Sequence, residues 1–399
     1  MNNKVTFEMI KEAKENLKGV IDYTPIISAN NISKNVFFKA ENLQKTGSFK
    51  IRGSYNKISS LTEEELSKGV IACSSGNHAQ GVALSASKRG IKSVVCMPTN
   101  APLIKKEATE NYGAEVISVD GVYDDAAREA NRLSKENGYV FIHPFDDPYI
   151  IAGQGTLGIE IIEQMPDVEQ VIVPIGGGGL ISGISIAIKA LKPDCKIIGV
   201  QAKGVPSMYG SLKENHVVTV SDATTVADGI HVLTPGDLTF EIVKENVDEI
   251  VTVDEDEICA AIVELLQGPK IVAEGASATT LAAFKYANID TSKKTVCLIS
   301  GGNIELNSLE RILTIGNIKL GRIFAINIEL EDNAESLSKL LSLLASKGIG
   351  GVDVRRQYVT RNNDINFCNF YISFETKDIK HCKDIKETLI ENNYNFSVI

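Results

Sequence analysis

Val171-Ile172-Val173-Pro174-Ile175-Gly176-Gly177-Gly178-Gly179-Leu180 couples five apolar residues to four glycines, and a helical pattern runs on to Leu191. An apolar strand followed by a helix belongs to a parallel sheet covered on both faces. The glycines let backbone N–H groups close around an anion at a helix N-terminus, where side chains would hold it off. A dinucleotide fingerprint would need a third glycine where Ile181 stands, and no Gly-Lys-Ser/Thr follows. A small monophosphate is therefore the expected ligand.

The same alternation extends to either side. Strands are expected near Val70–Cys73, Ser93–Met97, Glu115–Val119 and Tyr139–Ile142, with helices such as Ala79–Lys88 and Tyr123–Asn137 between them. A second series comprises Gln170–Ile175, Lys196–Gln201, Glu249–Val253 and Thr295–Ser300. Two parallel α/β lobes follow, with a ligand site between them at the carboxyl ends of the strands.

Two more strand ends carry polar loops. Ile71-Ala72-Cys73 runs into Ser74-Ser75-Gly76-Asn77-His78, ahead of a helix whose first N–H groups suit a carboxylate. Val296-Cys297-Leu298-Ile299 empties into Ser300-Gly301-Gly302-Asn303, whose serine can face a ring heteroatom. Upstream, Ser48-Phe49-Lys50 sets a lysine beside an aromatic ring, and a primary amine is what a carbonyl cofactor needs to form a Schiff base. An amine, a carboxylate loop, a phosphate loop and a polar strand end together describe a site for pyridoxal 5'-phosphate.

On these motifs the chain resembles the fold-type II pyridoxal-phosphate enzymes along its whole length, and within them the threonine dehydratases (threonine ammonia-lyases). The resemblance implies a two-lobed catalytic region over residues 1–315, with a smaller lobe at about 46–150 inserted in a larger one. It implies that Lys50 holds the cofactor as a Schiff base and serves as general base, with Phe49 packed beside the ring. Gly176, Gly177, Gly178, Gly179 and Leu180 would hold the phosphate, and Asn77 would hydrogen-bond the phenolic oxygen. Glu274 would lie near the ring and Ser300 would meet the pyridine nitrogen. Ser74, Ser75, Gly76, Asn77 and His78 would grip the substrate carboxylate. A serine leaves the ring nitrogen largely neutral, which favours expulsion of a β-hydroxyl over a long-lived carbanion. The implied reaction is β-elimination and deamination of L-threonine, and of L-serine, to 2-oxobutanoate or pyruvate and ammonium.

Ser75 is the second catalytic candidate. Many threonine dehydratases have alanine there, whereas the related serine racemases have a serine that works as acid/base from the opposite face. A serine racemase with side elimination is therefore the alternative, with Ser75 as a small neutral wall in the primary reading. Those racemases also carry acidic metal ligands where this chain has Gln201 and Ser207. Hard divalent cations want carboxylates, so no metal site is expected.

Composition agrees with an enzyme of small molecules. The 399 residues are 43% hydrophobic, and a formal charge of −10 argues against nucleic-acid or anionic-membrane partners. No apolar run approaches the roughly 18 residues of a membrane span, and the first twenty residues lack a signal core. A cytoplasmic location is expected. Seven cysteines without Cys-x-x-Cys spacing read as reduced core residues.

Beyond about Ile315 the rhythm changes to strand Arg322–Leu330, helix Ala334–Lys347, strands Val352–Arg361 and Asn366–Thr376, helix Ile379–Asn392 and strand Asn395–Ile399. This βαββαβ order is ferredoxin-like. Residues 321–399 resemble the ACT-type regulatory domains at Gly321-Arg322, Ser336-Leu337 and Phe374-Glu375-Thr376. The resemblance implies a homodimer or homotetramer and a small-molecule effector. Where such domains have an Asp-Arg-Pro-Gly-like turn, this chain has Asp332-Asn333-Ala334-Glu335. A glutamate in place of the glycine that admits an effector leads us to expect an altered or lost amino-acid response.

Overall fold

The apolar run at Val171 forms the strand Gln170–Pro174, buried along its whole length, inside a six-stranded sheet. The computed structural model describes residues 4–221, 223–357 and 366–399. The chain divides into two units, Met1–Glu305 and Leu306–Ile399.

In the first unit the large sheet runs in the order Ile26–Ser28, Val36–Ala40, Thr295–Ile299, Gln170–Pro174, Lys196–Ala202, Glu249–Val253. Every neighbouring pair is parallel except the first. Leu157 and Ile161 of the helix Pro148–Gln164, with Ile181 and Ile184 of the helix Gly179–Leu191, share a core with Val171, Val173, Val296 and Leu298. Between Val36–Ala40 and Gln170–Pro174 the chain builds a second, all-parallel sheet in the order Glu115–Val119, Ser93–Pro98, Val70–Cys73, Val140–Phe141. Val70, Ala72, Val82, Ala86 and Ile142 form its own core. Both expected strand series are thus present.

Val36–Ala40 escapes a reading of pattern because Lys39 interrupts its apolar run. That lysine is nevertheless fully buried, in a network with Arg52, Glu41 and Glu160. Lys39 donates to Glu160 at 2.5 Å and to the Thr24 carbonyl at 2.6 Å. Arg52 uses all of its donor groups: Nε and Nη2 each reach Glu41 at 2.8 Å, Nη1 and Nη2 reach Glu160 at 2.6 and 3.1 Å, and Nη1 also reaches Thr156 at 3.2 Å. Two cations and two carboxylates balance, which makes their burial tolerable.

The second unit has the order of a ferredoxin-like βαββαβ domain after a leading helix, Leu306–Lys319, that the sequence reading did not foresee. Its antiparallel sheet runs Val352–Gln357, Phe367–Glu375, Ile323–Glu331, Asn395–Val398. Helices Ala334–Ser346 and Ile379–Glu391 cover it through Leu340, Leu344, Ile385 and Leu389, against Ile326, Ile328, Ile372 and Phe374. Residues 358–361 of the expected strand Val352–Arg361 lie outside the described residues. Glu335 is exposed in the first helical turn and pairs with Lys339 at 2.7 Å. All seven cysteines are free thiols, six of them buried. Among the described residues no helix is long and apolar enough to cross a membrane.

Candidate active site

Lys50 opens the helix Lys50–Ser59, and backbone pairing carries it to the end of the strand Thr295–Ile299. The Phe49 N–H donates to the Ser300 carbonyl at 3.0 Å, and Ser48 forms an antiparallel bridge with Gly301. The Lys50 Nζ donates to the Pro144 carbonyl at 3.0 Å and stands 5.2 Å from the centre of the Phe49 ring. Burial, partly opposed by the Glu274 carboxylate, lowers its pKa to about 8. Part of this amine is therefore unprotonated near neutral pH, as a nucleophile or base requires.

The tetraglycine loop leaves no room for side chains. A Cβ on Gly177 would lie 2.5 Å from the Phe145 ring, and Gly178 caps the helix Gly179–Leu191 with φ +97°. The Thr239 hydroxyl donates to the Gly177 carbonyl at 2.6 Å and fixes the loop. N–H groups in the first turn of the 13-residue helix have no acceptors within it, so they and the helix dipole suit an anion.

In the smaller lobe, the Ser74 hydroxyl accepts from the Gly76 N–H at 3.2 Å, a turn that delivers Asn77 to the first position of the helix Asn77–Arg89. The buried His78 donates from Nε2 to the Ile142 carbonyl at 2.9 Å. Burial, together with the nearby Lys50 charge, drives its pKa down to about 3, so the imidazole is neutral and braces the loop. Both oxygens of Glu274, 4% exposed, accept from the Asn77 Nδ2 at 3.0 and 2.9 Å. Burial and the Asp228 charge push the Glu274 pKa up to about 7. The Ser300 hydroxyl lies 3.1 Å from that of Ser277, which donates to the Gly301 carbonyl at 2.7 Å.

One cavity of about 1160 Å³ is lined by Phe49, Lys50, Ser74 to His78, Gly176 to Leu180, Glu274 and Ser300. It is also lined by two residues whose roles the sequence reading missed. Asn303 bonds to Asn77, and its place at the end of Ser-Gly-Gly-Asn was a usable signal. Lys105, from the smaller lobe, reaches Asp228 at 3.1 Å and Glu305 at 2.7 Å. No local pattern marks it, because its partners are remote in sequence. Gln201 accepts from the Tyr209 N–H at 2.8 Å, and the Ser207 hydroxyl donates to the Val232 carbonyl at 2.7 Å. Among the described residues no cluster of His, Cys, Asp and Glu is placed to hold a metal.

Residues 17–301 match the family model described as pyridoxal-phosphate dependent enzyme. The chain is 46% identical to an L-threonine ammonia-lyase of Thermotoga maritima, over 99% of this chain and all of that protein. It is 47% identical to the catabolic L-threonine dehydratase TdcB of Escherichia coli, over 77% of this chain and 96% of that one. Among solved structures, the processed form of threonine deaminase isoform 2 from Solanum lycopersicum superposes with a TM-score of 0.74. That match has 36% identity and covers 79% of this chain and 96% of the other. Maize serine racemase gives the same TM-score and identity over 78% and 97%. A lysine amine, a side-chain-free glycine loop and a polar strand end in one cavity thus coincide with a family likeness over residues 17–301, and the chain belongs to the fold-type II pyridoxal-phosphate dependent enzymes.

Proposed function

We propose that this protein is an L-threonine ammonia-lyase that also acts on L-serine. The observation that carries the reading is the meeting of the Lys50 amine, with its pKa lowered to about 8, and the tetraglycine cradle in one cavity. The cradle fits a phosphate, since four glycines present bare backbone at the N-terminus of the helix Gly179–Leu191 and a Cβ at Gly177 would strike the Phe145 ring. The names of the Thermotoga and Escherichia relatives support the choice of threonine.

When bound, pyridoxal 5'-phosphate supplies an electron sink that acidifies the α-proton of an amino acid. Lys50 would hold its aldehyde, N–H groups of Gly176 to Leu180 its phosphate, Asn77 its phenolic oxygen and Ser300 its ring nitrogen, with Phe49 at its side and Glu274 near the ring. First-turn N–H groups of the helix Asn77–Arg89, with Ser74 and Ser75, orient the substrate carboxylate. The Lys50 Nζ accepts the α-proton, and its depressed pKa keeps it competent near neutral pH. Closure of the two lobes on a bound substrate would expel water from around the amine.

We assign catalysis to residues 1–315, with the smaller lobe at about 46–150, and a regulatory and oligomer-forming role to residues 321–399. The exposed charge of Glu335 supports an altered or absent response to amino acids. Free cysteines suit a reducing, cytoplasmic location. Ser75 in the cavity wall favours serine racemisation as the second reading. Incubating the cofactor-loaded protein with L-threonine should release 2-oxobutanoate and ammonium in equal amounts. D-serine accumulating from L-serine, with no oxo acid from threonine, would replace the first reading with the second.

A further inference from the structure

We infer that Asn303 fixes the side-chain amide of Asn77 with its NH2 group turned into the cavity. Asn77 stands between two partners. Its Nδ2 faces both oxygens of Glu274, and its Oδ1 accepts from the Asn303 Nδ2 at 2.7 Å. The same Asn303 Nδ2 donates to the Thr46 carbonyl at 2.9 Å. A primary amide has two N–H donors, so those of Asn303 are both committed.

The resulting chain has a single polarity. It begins on a backbone carbonyl, which can only accept, and it ends on a carboxylate. Turning Asn303 over would set oxygen against oxygen at both the Thr46 and the Asn77 contacts, and turning Asn77 over would set NH2 against NH2 at Asn303 and oxygen against the Glu274 carboxylate. Protonation of Glu274 does not release this constraint, because the Thr46 end alone dictates it. Asn303 is itself anchored: the Gly302 N–H donates to the Gly47 carbonyl at 2.9 Å, in the segment that delivers Lys50. One side chain therefore references Asn77 of the smaller lobe to the Lys50 loop and to the end of the strand Thr295–Ile299.

This inference rests on the reading that Asn77 donates to the cofactor's phenolic oxygen, and Asn303 is a positioning residue that acts through Asn77. An N–H donor stabilises the ionised phenolic oxygen, so the pH midpoint of the bound cofactor's visible band reads the amide's orientation. Asn303→Asp replaces the donor by an acceptor and turns the Asn77 amide over.

The test compares wild type, Asn303→Ala, Asn303→Asp, Asn77→Ala and the Asn77→Ala/Asn303→Ala double variant, each titrated with pyridoxal phosphate. Thermal unfolding of the cofactor-free proteins reports folding separately, and Asn303→Ser serves if Asn303→Asp does not fold. Both Asn303 substitutions should weaken cofactor binding by about tenfold and raise the pH midpoint, the aspartate more than the alanine. In the Asn77→Ala background Asn303→Ala should have no further effect. Unchanged affinity and midpoint, or an equal loss in that background, would overturn the role of Asn303. A wild-type protein that forms no visible band would overturn the proposed function, and this inference with it.

Discussion

The Lys50 amine donates to the backbone carbonyl of Pro144, while Glu274, which attracts it only through space, gives both oxygens to Asn77. An ammonium that is buried without a carboxylate in contact is easily deprotonated. Lys50→Ala is therefore expected to fold and to lose turnover by at least about 10³-fold, since proton transfer alone contributes up to roughly 10⁴. The checks are an oxo-acid assay and the loss of the visible absorption band.

Capture of the cofactor aldehyde requires the neutral amine. Its rate in the cofactor-free protein should rise with pH through about 8 and level off above. Glu274→Gln removes the attraction that holds the Lys50 pKa up, so the midpoint should move to lower pH. Stopped-flow absorbance across a pH series measures both, and an unmoved midpoint would show that Glu274 does not act on Lys50.

His78 links the Ser74-to-Asn77 loop to acid stability. Its folded pKa of about 3 lies below the ordinary 6.5, so the unfolded chain binds more protons between these values. Stability is then lost as pH falls through that window. Glu274, raised to about 7 from 4.5, works in the opposite sense between those two values and masks part of the effect. His78→Gln, which keeps a donor for the Ile142 carbonyl, removes the acid-destabilising contribution and leaves that of Glu274, so its stability relative to wild type should rise as the pH falls. Thermal midpoints of both proteins from about pH 7 to pH 4 would show it.

Arg52 neutralises two buried carboxylates beside the Lys50 helix. Arg52→Met should cost about 3–5 kcal/mol in denaturant unfolding, because Glu41 and Glu160 would be left with Lys39 alone. Arg52→Lys should not restore stability, since a point charge cannot supply the fork that reaches both carboxylates.

What could be read in advance followed local chemistry. The helix Tyr123–Asn137 stands where the alternation of strands and helices put it, and the βαββαβ order of the C-terminal unit was visible in alternating short runs. The strand ends at Ser74, Gly176 and Ser300 were legible because apolar runs stop abruptly there. Buried charges were not. Lys39 looks like a break in a strand until Glu160 is seen opposite it, and nothing near Lys105 announces Asp228. Asn303 belonged to a quoted motif, yet its role needs the positions of Thr46 and Asn77, which only the tertiary fold supplies.

Borohydride reduction of the cofactor-loaded protein, followed by proteolysis and mass spectrometry, identifies directly the amine that holds pyridoxal phosphate. The account predicts one pyridoxyl-bearing peptide, modified at Lys50, with modification prevented by prior removal of the cofactor. Modification at Lys105 or another lysine, or none in a protein that turns over threonine, would contradict it.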